Sequence, residues 1–149
     1  MVNKERMELW IQALEQDRFT KCTGYLRTPD VLDKIRNVTS YRHCALGVGI
    51  QVALENGLFS GHPLEHDKSF QSTLFVSSGG FLPIAVQGWY GLDDSNPGVN
   101  LDGERWGISV LNDGAIEITN DGIVEGTTEV TFWDIAQLMR ATYLKDDVS

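Results

Sequence analysis

The chain has 149 residues, 42% of them hydrophobic and 22% charged, which suffices for one compact domain with its own core and excludes a disordered or fibrous chain. Its net charge of -9 argues against general nucleic-acid binding, because an acidic surface repels phosphate backbones. The longest weakly polar run, Cys44 to Leu54, is about half of the roughly 20 residues a membrane span needs, and the start MVNKERMELW lacks the apolar stretch of a secretory signal, so no membrane association and a cytoplasmic location are expected.

The first helix is expected where Met7, Trp10, Ile11 and Leu14 fall on one stripe, with Asn3 as its N-cap. Thr23-Gly24 reads as a turn and Tyr25-Leu26-Arg27 as a short strand. Thr28-Pro29 then suggests an N-cap and first position of a short helix running to about Arg36. The stretch HCALGVGIQVALENG, His43 to Gly57, predicts a central buried helix, apolar on all sides and ended by Asn56-Gly57. Gly47 and Gly49 inside it each cost about 1 kcal/mol of helix propensity relative to alanine; close approach of another backbone is the simplest compensation.

After a loop with a short strand at Thr73–Val76, FLPIAVQGWYGL reads as a helix begun at Pro83 and stopped at Gly91. DDSNPGVNLDGE reads as a polar loop. From Arg105 the period changes: ISVL, AIEI and IVEGTTEV read as strands joined at two Asn-Asp-Gly turns. The last helix opens at Thr131 with Asp134 three residues on, a capping-box spacing, and buries Phe132, Ile135, Ala136 and Met139. The expected fold is therefore α+β: a single compact domain over residues 1–149, with helices at both ends and a central buried helix packed on a small antiparallel sheet.

In order, WIQALEQDRFTKCTGYLR, CALGV, LPIAVQGWYGLDDSNPGV, SVLNDG and TFWDIAQLM resemble a group of small proteins, usually described only as hypothetical, encoded by tailed bacteriophages and prophages. The resemblance covers most of residues 10–140. Where that group often reads Cys-Cys-Leu-Gly-Val, this chain has His43-Cys44-Ala45-Leu46-Gly47-Val48. The resemblance implies a phage-type accessory protein acting in the cytoplasm of a bacterial host, and it implies no activity for any residue.

Few residues invite catalysis. Cys44 as a nucleophile needs a thiolate and a base, but adjacent His43 points elsewhere on a helix, and a free cysteine most often packs as a small apolar residue. Cys22, Cys44, His62 and His66 are the available zinc ligands, yet Pro63 follows His62 and no Cys-x-x-Cys pair supports them. Asp93, Asp94, Asn96, Asn100, Asp102 and Glu104 invite calcium, but their order does not fit an EF-hand loop. No P-loop or Gly-x-Ser-x-Gly elbow occurs, and Ser77-Ser78-Gly79-Gly80 reads as a flexible loop rather than an anion cradle. No cofactor and no metal are expected.

Charge is uneven. Residues 1–50 hold eight basic and six acidic residues, +2; the remainder holds four and fifteen, -11. The acidic part favours a basic partner. The expected function is a non-enzymatic accessory protein that binds a host protein or a small ligand and counteracts host defence, with self-association left open. The candidate binding residues are Trp89, Tyr90 and Trp106 beside the acidic loop, Asp93, Asp94 and Asp102 within it, and Asn112 and Asp113 after an apolar segment. A variant reading, capture of a nucleotide-like signal molecule, adds Arg27 and Arg42. The alternative is a hydrolase or transferase using Cys44.

Overall fold

A computed structural model describes residues 1–16, 18–32, 34, 38–76, 80–101, 103–113, 116–119, 122–125 and 130–145. Helix α1, Lys4–Glu15, begins where the Asn3 carboxamide oxygen accepts the Arg6 N–H at 3.1 Å. That oxygen satisfies one of the four N–H groups that a helix start leaves unpaired. The stripe of Met7, Trp10, Ile11 and Leu14 is buried, as its spacing predicts. It packs against helix α2, Ala45–Glu55, and helix α6, Phe132–Met139. Each fully buried large side chain there contributes about 1.5–3 kcal/mol.

Helix α2 is the centre of the molecule. Ala45, Leu46, Val48, Ile50 and Ala53 are wholly buried. Its glycines are explained by contact. A Cβ on Gly47 would lie 1.8 Å from the Leu26 carbonyl oxygen, and one on Gly49 would lie 2.6 Å from the Trp10 ring. One neighbour is backbone, as expected; the other is an indole. That indole also donates to the Ala45 carbonyl at 3.0 Å, so Trp10 both fills the groove and satisfies its own N–H.

Among the described residues the strands form three two-stranded antiparallel pairs: β1, Arg27–Leu32, with β2, Val38–His43; β3, Gly98–Leu101, with β4, Glu104–Gly107; and β5, Ile116–Thr119, with β6, Gly122–Glu125. Short helices α3 (Lys68–Thr73), α4 (Ile84–Tyr90) and α5 (Ile108–Asn112) fill the connections. The fold is thus α+β with one buried core, helices α1 and α6 as its first and last regular α-helices, and α2 in its middle beside β2. The capping box of α6 forms as read: Thr131 Oγ1 accepts from Asp134 N at 3.1 Å, and Asp134 returns the bond to Thr131 N at 3.2 Å. The helix continues into a π-helical turn, Arg140–Leu144. No helix among the described residues is long and apolar enough to cross a membrane.

Four local expectations are corrected. The short helix proposed from Pro29 is strand β1, in which Pro29 pairs with Tyr41 and the register slips between Pro29 and Val31. A two-stranded hairpin has only edge strands, where a missing N–H is tolerated. The segment Thr73–Val76 is the end of α3 and a turn, with successive i→i-3 bonds from Leu74, Phe75 and Val76. ISVL is α5, not a strand, because Ile108 and Leu111 turn the same way onto the core. The loop after Asp94 contains strand β3.

Candidate ligand-binding site

Cys44 and His43 stand at the junction of β2 and α2, and the structure separates their roles. Cys44 is the N-cap of α2, and its Sγ accepts from Gly47 N at 3.3 Å. Burial pushes its thiol up to about 12. Asn112, at the end of α5, is 1% exposed. Its oxygen accepts from Ala45 N at 2.9 Å, and its nitrogen donates to the Cys22 carbonyl at 2.9 Å. Asn112 thereby shares the capping of α2, and Asp113 beside it accepts from Gly24 N at 3.1 Å. Both are held by structural hydrogen bonds. A hollow of about 140 Å3 borders Cys44, Asn112 and Asp113.

His43 has the opposite environment. Its backbone is fixed: the N–H donates to Thr20 O at 2.8 Å, and the carbonyl accepts from Cys22 N at 2.9 Å. The imidazole is buried between Phe19 and Phe75, whose rings meet it edge-on at centroid distances of 4.9 and 5.9 Å. Among the described residues neither Nδ1 nor Nε2 has a hydrogen-bond partner. Leaving a buried polar atom unpaired costs about 1–3 kcal/mol. Burial, and then the nearby Arg27 and Arg18 charges, lower the His43 pKa to about 4. The ring is therefore neutral at pH 7 and offers one donor and one acceptor.

His43 borders a pocket of about 490 Å3, within the range of small-molecule sites; its ring nitrogens are enclosed rather than open to the hollow. Phe19, Tyr41 and Gln51 of α2 also line it; the Arg18 guanidinium carbon sits 4.6 Å from the Phe19 centroid, and the Gln51 amide donates to Glu55 at 3.4 Å. Arg18, Thr20, Asp30 and Glu55 form an exposed rim. The rim charges are matched: Arg18 pairs with Glu55, and Asp30 accepts from Arg42 Nε at 2.9 Å. Arg27 lies between two rings, its guanidinium carbon 3.8 Å from the Tyr41 centroid and 4.0 Å from that of Phe75. Burial lowers its pKa. Arg27 and Arg42, read from the sequence as ligand-binding, thus belong to the hairpin that walls this pocket, one behind Tyr41 and one behind Asp30.

The remaining candidates lie elsewhere. Asp93 and Asp94 are exposed in a second cleft, about 470 Å3, bordered also by Arg105, Tyr143 and Met1. Asp94 accepts from Asn96 N at 2.9 Å in a local turn. Tyr90 is fully buried and donates to Gly49 O, so it is a core residue. Trp89 is half-buried beneath Arg6, whose guanidinium carbon sits 4.5 Å from its ring. Trp106 is half-buried, and its Nε1 has no partner. Trp133 is 58% exposed. Asp102, Ser77, Ser78 and Gly79 fall outside the described residues. His62 and His66 are exposed and lie in turns rather than on a helix. Among the described residues no three His, Cys, Asp or Glu side chains converge as a metal site would require.

Comparisons with protein-family models, with curated proteins and with solved structures find no match to this chain. Sequence reasoning considered His43 only as a base for Cys44. The missed signal is the period of two in VTSYRH, which puts Tyr41 and His43 on one side of a strand.

Proposed function

We propose that this protein is a non-enzymatic, phage-type accessory protein that captures a small ligand in the His43 pocket and so withdraws it from the host. One observation carries this reading: His43, whose buried ring nitrogens have no partner among the described residues, borders a hollow of small-molecule size. The backbone bonds of His43 are complete without its side chain, and its edge-on packing against Phe19 and Phe75 is one that an apolar ring would make without unpaired nitrogens. Catalysis through Cys44 is disfavoured, because a thiol pushed up to about 12 is ionised at pH 7 on the order of one part in 10⁵. The phage resemblance supports action in the host cytoplasm against a host defence.

The acidic cleft favours a second reading, capture of a basic host protein at Asp93 and Asp94. Native and denatured mass spectra of freshly purified protein test both. The expected result is extra mass of a small molecule that is lost on denaturation and absent from the His43→Phe variant. A bare chain that instead retains a basic host protein, and loses it in the Asp93→Asn, Asp94→Asn double variant, replaces the first reading with the second. The native mass also counts the subunits of any homo-oligomer.

A further inference from the structure

We infer that Asn56 is a site of self-modification: in the folded chain its carboxamide closes onto the Gly57 backbone nitrogen and hydrolyses to aspartate and isoaspartate, loosening the end of helix α2. Asn56 is the chain's one asparagine followed by glycine, and glycine has no Cβ to crowd an attacking nitrogen. Both residues are exposed at the C-terminus of α2, with Asn56 as the C-cap and Gly57 at φ +96°. The backbone N–H groups on either side are held: that of Asn56 donates to Val52 O at 3.1 Å, and that of Leu58 to Ala53 O at 3.0 Å. None of the described residues accepts from the Gly57 N–H, so the attacking group stands free between two bonded neighbours.

The chemistry balances with water alone. Gly57 N gives its proton to solvent base and bonds to the Asn56 side-chain carbonyl carbon. The bond from that carbon to Nδ2 breaks, and the nitrogen leaves as ammonia. Water then opens the five-membered imide. Its attack at the side-chain carbon restores the chain with aspartate; attack at the backbone carbonyl carbon routes the chain through the side chain, as isoaspartate. What opposes closure is the bond from Asn56 Nδ2 to Val52 O at 2.8 Å. That bond lies at the end of a helix, where local opening costs little. Asn112 is the contrast: it is 1% exposed, and the N–H of Asp113 after it donates to Ser109 O at 3.0 Å. Asn96 is followed by Pro97, which has no N–H. Either product at Asn56 removes the donor to Val52 O and puts a carboxylate at the negative end of the α2 dipole. Glu55, which holds Arg18, is its neighbour in the same turn.

Freshly purified full chain, kept for weeks at physiological temperature and neutral pH, is mapped by peptide mass spectrometry beside the synthetic peptide LENGLF treated alike. Asn56 is expected to gain one mass unit before any other asparagine, at a rate within about tenfold of the peptide's, because helix ends open at small cost. Isoaspartyl methyltransferase is expected to label the same fragment. Asn56→Gln, whose longer side chain closes a larger ring far more slowly, is expected to stop the gain there and to keep the melting temperature. Asn56→Asp supplies one product at once, and its hydrogen exchange is expected to quicken several-fold in the turn from Val52 to Leu58. The inference is overturned if another asparagine converts first, if Asn56 in the folded chain converts more than about tenfold more slowly than in the peptide, or if exchange in that turn is unchanged in Asn56→Asp.

Discussion

Cys44 and His43 are neighbours in the chain, and each is 6% exposed, yet their surroundings differ in kind. Around Cys44 the polar atoms are matched: its sulfur accepts from Gly47, Ala45 N meets Asn112, and the Cys44 N–H donates to Leu26 O at 3.1 Å. One residue earlier, two buried ring nitrogens have no partner. Native structures pair nearly all buried polar groups, and the few exceptions tend to have a cause in function. The contrast teaches that burial alone does not separate a structural residue from a functional one; the pairing of the buried atoms does.

The matched side is the easier to break. Gly47→Ala drives a methyl group into the Leu26 carbonyl, where backbone has to move. It is expected to destabilise the fold by about 3 kcal/mol or more, measured as a fall in the urea midpoint at unchanged slope. A loss below about 1 kcal/mol would mean that Leu26 does not press on α2 as described.

The next effect sharpens the unmatched side. His43 titrates near 6.5 in an unfolded chain and at about 4 when folded. The unfolded state therefore binds more protons between those values, and stability falls as pH drops from 6.5 towards 4. The loss approaches about 3 kcal/mol, and it is absent above pH 7. His43→Phe is expected to gain about 1 kcal/mol at pH 7 and to lose this part of the acid slope, which urea unfolding at a series of pH values reads directly. A variant with the parent's slope would show that the slope comes from other groups.

A change of intermediate size returns to the matched side. Asn112→Ala leaves Ala45 N and the Cys22 carbonyl without the bonds described, at a cost of about 2 kcal/mol. Hydrogen exchange is expected to quicken first at the start of α2, and unchanged protection there would remove Asn112 from the capping role.

What the sequence revealed was local and repetitive. The α1 stripe, the Asn3 cap and the Thr131–Asp134 box each depend on a few residues three or four apart, so spacing alone exposes them. The glycines of α2 announced a close approach, but only folding showed that Leu26 and Trp10 make it. Strand β1 was hidden because Thr28-Pro29 has the chemistry of a helix start, and its true partner, Tyr41, lies across a hairpin. Helix α5 has five residues, too few for a period to declare itself. The pocket was least legible of all. Its lining comes from residues 18–20, 30, 40, 41, 43, 51 and 55, and no short window contains them; Tyr90, which looked like surface recognition, is core.

Arg140 grips Glu8 at 2.8 Å and Glu15 at 2.6 Å, and Gln137 donates to Glu15 at 2.7 Å. The guanidinium and the two carboxylates reinforce one another: the Arg140 hydrogen bond lowers the Glu15 pKa, and Glu15 and then Glu8 raise that of Arg140. These contacts join segments separated by more than 120 residues. During synthesis, α1 therefore emerges long before the helix that covers it. Its stripe has no complete partner surface until α6 has left the ribosome, so closing that face requires bringing together segments far apart in the chain.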